Sequence, residues 1–168
     1  QNNLFVASLI WEKRAIPIYW QFLPKIGSSN LVEQQALLRP VIREFRGNKI
    51  VVVGDRVRSV ELANWLQQQN IHFAFRQKKD TYIQQSGEEY QTLESLGLVP
   101  GMKIYLAGIK ITKKQGFGTF NLAAYWKRKY RGNVPKEGWY ILTNLIDLST
   151  ALDAFKARNG CDVDVQRL

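Results

Sequence analysis

Asp55 is the residue of this chain whose setting first suggests chemistry. It follows the apolar run Ile50-Val51-Val52-Val53 and Gly54, and a carboxylate just past the C-terminal end of a strand sits where open α/β sheets hold their ligands and active-site groups. Its neighbour Arg56 would either pair with it or reach a phosphate. The alternative is that Asp55 turns the chain and caps the helix that follows. The local pattern does not choose between them. A second concentration of chemistry lies between Lys103 and Gly132, where Lys103, Lys110, Lys113, Lys114, Lys127, Arg128, Lys129 and Arg131 occur with no acidic residue. Tyr105, Phe117, Phe120, Tyr125, Trp126 and Tyr130 are interleaved with them. Cations of this kind meet phosphates, and aromatic faces receive unstacked bases. A solvated face over a small β core is the competing reading, but the absence of any carboxylate over the whole stretch favours a nucleic-acid surface.

Other chemistries are excluded by what is missing. The single cysteine, Cys161, allows no internal disulfide or cysteine-cluster zinc site, and the lone His72 leaves no histidine pair for a metal or a triad. His72 reads as a packing or surface residue, and Cys161 has no partner that would make it a nucleophile. Any catalysis must therefore rest on carboxylates. Asp147, Asp153, Asp162 and Asp164 gather near the C-terminal end with Lys156 and Arg158; mixed charge at a helix end is usually exposed surface, although its place after a core strand makes it a candidate wall of a site. Gly116-Phe117-Gly118 lacks the strand-to-helix context of a dinucleotide loop. A formal net charge of +10 biases the partner toward a polyanion, nucleic acid before membrane surface. No stretch is apolar for long enough to span a membrane and no secretory signal pattern is present, so no membrane partner and a cytoplasmic location are expected.

The elements that must position these residues follow from periodicity. Leu4 to Ile10 and Ala15 to Trp20 predict a hairpin, with Pro17 favouring an edge. Leu31, Leu37, Leu38, Val41, Ile42 and Phe45 recur at helical spacing up to Gly47, with Ser29 or Asn30 as cap. Ile50 to Val53 has the shape of a fully buried strand; a second helix over Val60 to Leu66 and a strand over Ile71 to Phe75 follow. The order predicts an α/β sheet covered by helices. From Lys78 to Gly138 short β-like segments are punctuated by glycines, and Trp139 to Thr143 returns to a buried strand before a helix over Leu148 to Arg158. The expected organisation is thus an α/β core of residues 1–77 and 139–168, interrupted by a basic, β-rich insertion over 78–138.

Several phrases together resemble a known family: NLFVASLIWEKRAIPIYW, IVVVGDR, QGFGTFNLAAYWKRKYRG, and WYILTNL followed by a helix. They are similar to the DDE transposases of bacterial insertion sequences, in the subgroup whose last catalytic helix bears a Tyr-Arg-Glu-Lys signature. The resemblance implies an RNase H-like mixed sheet with flanking helices, interrupted by a β-rich insertion. It also implies Asp, Asp and Glu carboxylates holding two Mg or Mn ions for cleavage and transfer of DNA strands. Asp55 matches the second carboxylate, and the first is expected upstream of Asn2, so the chain is read as a fragment expected to be inactive alone. At the terminal signature the aligned residues are Phe155, Arg158 and Asp162. Phe155 lacks the tyrosine hydroxyl, and Asp162 is a methylene shorter than Glu; whether Asp162 or Asp164 fills the third position stays open. Val57-Arg58 also departs from the small or acidic residue and aromatic usual after the second Asp. The resemblance thus assigns catalysis to Asp55, Asp162 and Arg158, and metal binding to Asp55 and Asp162. DNA contact is expected at Arg56, Trp126, Lys127, Arg128 and Lys129. The partners implied are transposon-end and target DNA, with homodimerisation of the complete protein and association with the nucleoid. The alternatives are a non-catalytic DNA-binding remnant and a nuclease of the same fold.

Overall fold

A computed structural model of the chain describes residues 3–12, 14–25, 27–54, 59–113, 117–128 and 137–159. The fold is mixed α/β and divides into two compact units, residues 1–50 with 156–168, and residues 51–155. In the first unit, β1 (Asn3–Trp11) and β2 (Arg14–Leu23) form the expected hairpin, and the ladder of the pair is antiparallel. Its register shifts between Ala7 and Ser8, where Ser8 faces Pro17. A proline lacks the N–H that a regular ladder needs, and a bulge at the edge of a two-stranded ribbon is where that loss costs least. Helix α1 (Leu31–Glu44) starts at Asn30, which settles the choice of cap: Glu33 N donates to Asn30 Oδ1 at 2.9 Å and Asn30 N donates to the Glu33 carboxylate at 2.7 Å. That reciprocal box satisfies two backbone donors the first turn would otherwise leave open. The Glu33 carboxylate also meets Lys25 Nζ at 2.7 Å, and this hydrogen bond, with that from Asn30, lowers its pKa from the ordinary glutamate value.

In the second unit, β3 (Val51–Gly54), β4 (His72–Gln77), β5 (Tyr82–Gln84), β6 (Gln91–Thr92), β7 (Lys103–Ile111), β8 (Phe117–Tyr125) and β9 (Trp139–Thr143) make one seven-stranded sheet in the order β3-β4-β9-β8-β7-β5-β6. Only the β3–β4 pairing is parallel; α2 (Val60–Gln68) connects those two strands and packs against β4. Ser59 caps α2, its hydroxyl accepting from Leu62 N at 3.0 Å. The reading of Asp55 as the cap of this helix is thereby set aside. The expectation of a fully buried strand at Val51 to Val53 is corrected too: the three valines are half-buried, because β3 is the end strand of the sheet. The strands of segment 78–138 do not form a layer of their own, since β8 pairs with β9 and carries β7, β5 and β6 outward from it.

Helix α3 (Leu148–Asn159) covers one face of this sheet, burying Ala151, Leu152 and Phe155 against Ala74, Ala123, Ile141 and Leu145. Alanines on both surfaces let helix and sheet backbones approach closely. The other face carries Phe73 and Phe75, with ring centroids 5.2 Å apart, and Phe120 edge-on to Phe73 at 5.9 Å. Alternation along each strand separates the two sets, as a pleated sheet requires.

Candidate nucleic-acid interface

The ladders determine which residues share an end of the sheet. Gly54 pairs with Phe75, Arg76 with Ile141, Gln77 with Tyr140, and Tyr125 with both Trp139 and Lys103. The C-terminal ends of β3, β4 and β8 and the N-terminal ends of β7 and β9 therefore form one rim. Directly opposed residues point to the same face, so Lys103, Tyr125, Trp139 and Arg76 all lie on the face that α3 covers. Trp139 stands between Tyr125, edge-on at 6.3 Å, and Phe155, edge-on at 5.2 Å. Lys103 Nζ sits 5.8 Å from the centre of the Tyr125 ring, within range of a cation–π attraction. Arg76 makes an ion pair with the exposed Glu137. Tyr140, buried beside Gln77, has its pKa raised by burial and then by the charge of Glu94.

The chain leaving β8 is tied to this rim by its backbone. Trp126 N donates to Met102 O at 3.1 Å, and Gly101 N donates to Trp126 O at 2.7 Å. Gly101 has φ +92°, and a Cβ there would stand 2.7 Å from Arg128 Cγ and 2.8 Å from its Nε. The stem of Arg128 thus crosses bare backbone, and any larger residue at 101 would push it away. Lys127 and Arg128 are exposed and Trp126 is half-buried. The rim presents Lys103, Lys127 and Arg128 to solvent beside aromatic surface, the combination that suits a phosphate backbone.

The rim brings together three of the residues expected to contact DNA, Trp126, Lys127 and Arg128; Lys129, Asp55, Arg56, Asp162 and Asp164 lie outside the described residues. Gly54, the last described residue before Asp55, ends β3 at this rim. Arg158 is half-buried on α3, one turn beyond Phe155. The helix runs back along β9, from the turn after Thr143 to Trp139, so its Phe155 turn returns to the rim. Phe155 itself is core packing, 1% exposed. Asp147 caps α3: Thr150 N donates to its Oδ1 at 2.8 Å and Thr150 Oγ1 to its Oδ2 at 2.6 Å. One of the clustered terminal carboxylates is therefore structural. Among the described residues no three His, Cys, Asp or Glu side chains form a metal-sized group.

Arg76 is the rim residue that the sequence reading did not single out. Its signal was available in the phrase HFAFRQ, where a cation follows directly on the apolar run Phe73-Ala74-Phe75. The phrase WYILTNL turns out to act at the opposite end of the sheet. Thr143 Oγ1 donates to Phe73 O at 2.6 Å and accepts from Leu145 N at 3.1 Å. Asn144 accepts from Phe73 N at 3.1 Å and donates to Ile71 O at 3.0 Å, standing in for a further backbone strand. Leu145 O then accepts from Tyr105 OH at 2.8 Å and Asn121 Nδ2 at 2.9 Å. No family model and no curated protein matches this chain. Among the described residues no helix is long and apolar enough to cross a membrane.

Proposed function

We propose that this chain is part of the RNase H-like catalytic domain of a bacterial insertion-sequence DDE transposase, working on DNA in the cytoplasm at the nucleoid. The observation that carries the reading is the rim: the strand preceding Asp55 ends at the same edge of the sheet as Lys103, Lys127 and Arg128, which stand beside Tyr125 and Trp139 on the far side of β4 and β9. A DNA strand held by those cations would lie at the end of the sheet to which open α/β folds assign their chemistry. Lys127, Arg128 and Lys129 would neutralise phosphates, Trp126 would meet a base or sugar face, and Arg56 and Arg158 would hold the phosphate undergoing reaction. Asp55 and Asp162 offer the hard carboxylate oxygens that Mg²⁺ or Mn²⁺ takes. When bound, such metals supply charge stabilisation to the attacking and leaving oxygens of a phosphodiester displacement.

The test pairs calorimetric titration of Mg²⁺ and Mn²⁺ with anisotropy on a fluorescent DNA duplex, using this chain and the product of its whole gene. Asp55→Asn is expected to abolish metal binding by the gene product and to leave DNA affinity in place; Lys127→Ala with Arg128→Ala is expected to weaken DNA affinity and to leave metal binding in place. Duplex binding with no metal binding in either protein would replace the enzyme with a DNA-binding protein. Absence of DNA binding by both would overturn the reading.

A further inference from the structure

The rim leaves a second concentration of positive charge unexplained, in the other unit of the chain. The solvent-facing stripe of α1 runs Val32, Ala36, Arg39, Arg43, all exposed and spaced by three or four residues, so they lie on one side of the helix. The stripe continues past the helix end. Phe45 N donates to Val41 O at 3.1 Å, Arg46 N to Arg43 O at 3.3 Å and Asn48 N to Phe45 O at 3.0 Å. The backbone thus stays wound as far as Arg46, about one turn after Arg43; Gly47, at φ +93°, ends the winding, and Lys49 follows in the chain beyond it. Arg46 and Lys49 are exposed as well. Arg39 is steadied by its Nη2 donating to Gln35 Oε1 at 3.3 Å. Among the described residues Arg43, Arg46 and Lys49 make no ion pair. Two acidic side chains are near: Glu33 is engaged by Lys25 and Asn30 in the first turn, and Glu44, exposed, points off the stripe by the angle of one helical residue.

Compensation of the helix dipole accounts for a cation in the last turn, where it contributes about 0.3–1 kcal/mol. It does not account for Arg46 or Lys49, which follow the end of the helix. We infer that Arg39, Arg43, Arg46 and Lys49 form a second DNA-contacting surface, which binds the phosphate backbone of duplex DNA without reading its sequence. Arg39 and Arg43 are about 6 Å apart along the helix axis, so their heads can sit on neighbouring phosphates of one strand. The stripe carries no aromatic residue that would stack on a base, unlike the rim formed by β7, β8 and β9. Charge complementarity therefore selects the backbone of a duplex as its occupant. This inference rests on the proposed function only in naming DNA as the polyanion.

The experiment measures affinity of the full chain for two fluorescent duplexes of unrelated sequence over a salt series. It uses the parent, Arg43→Ala/Arg46→Ala/Lys49→Ala, the charge-preserving Arg43→Lys/Arg46→Lys, and the rim variant Lys127→Ala/Arg128→Ala. Circular dichroism melts verify that each variant is folded. The triple variant is expected to have a log affinity against log salt slope shallower by about 2.7, equally for both duplexes, and the charge-preserving variant is expected to keep the parent slope. A triple variant with the parent slope, while the rim variant loses affinity, would overturn the second surface and leave the proposed function standing. Loss of slope in the charge-preserving variant as well would also overturn it, because a contact to phosphate through charge alone does not need the guanidinium. A parent that fails to bind either duplex would overturn both.

Discussion

The two ends of the seven-stranded sheet are built on opposite principles. At one end Thr143, Asn144, Asn121 and Tyr105 use their side chains to close the backbone groups of Phe73, Ile71, Gly108 and Leu145, so that polar atoms are spent on the protein itself. At the other end Lys103, Lys127 and Arg128 face solvent; Lys103 lies over Tyr125, which packs edge-on to Trp139 and through it to Phe155, and the stem of Arg128 crosses Gly101. Buried polar groups without partners are costly, so an end that turns these side chains onto its own backbone has little left for a ligand; the buried Nδ1 of His72 is the atom there without a partner among the described residues. An end that keeps exposed cations over a rigid aromatic base has paid no such penalty, and it is available for a polyanion. Stability should therefore be sensitive at the closed end and ligand affinity at the open one.

The largest expected effect tests the support common to the rim and the core. Phe155→Ala removes a ring buried among Ala74, Ala123, Ile141 and Trp139, and is expected to cost about 3–5 kcal/mol in urea unfolding; a loss below about 1 kcal/mol would mean that α3 is not what holds that face. Thr143→Val leaves the Phe73 carbonyl and the Leu145 N–H without their partner, and should cost about 1–3 kcal/mol. DNA affinity per folded molecule should stay unchanged, and a parallel fall in both quantities would erase the distinction between the two ends. Lys127→Ala/Arg128→Ala should behave in the opposite manner. Its stability is expected to stay within about 0.5 kcal/mol of the parent, while the salt slope for duplex binding becomes shallower by about 1.8.

The smallest effect lies in alkaline solution. Burial, and then the charge of Asp147, raise the Tyr105 pKa above the ordinary tyrosine value. A group whose folded pKa is raised contributes its stability in full below the unfolded value and loses it as pH rises through the folded value. The unfolded chain ionises first, so stability should begin to fall above about pH 10, and Tyr105→Phe should flatten that fall. Unfolding midpoints measured on both sides of that pH decide it; an unchanged profile would mean that Tyr105 is not the group that titrates.

Much of the fold was legible because it is encoded by local periodicity. The hairpin, helices α1, α2 and α3 and the strand Trp139–Thr143 follow from apolar spacing, and Asn30 was one of two residues with an oxygen placed to cap α1; the cap of α2 fell to Ser59, which the sequence reading did not name. Burial of β3 was not legible, since three consecutive valines look the same at the end of a sheet as in its middle. The site was legible in composition and not in arrangement. The stretch without carboxylates pointed to Trp126, Lys127 and Arg128, while Arg76 and Lys103 joined them only through strand pairing. Asp147 looked like one of several terminal carboxylates and is a helix cap, a role that depends on where the helix begins.

The sequence by itself determined the classes of element, their order and the strongly basic balance, because these depend on residue type and on neighbours a few positions away. Tertiary structure alone decided that the basic segment enters the same sheet as β4 and β9, that Arg76, Lys103, Tyr125 and Trp139 meet at one rim, and that Thr143 and Asn144 close the other. Those outcomes rest on register between strands up to about seventy residues apart in the chain, where one step of slippage would send every side chain to the opposite face.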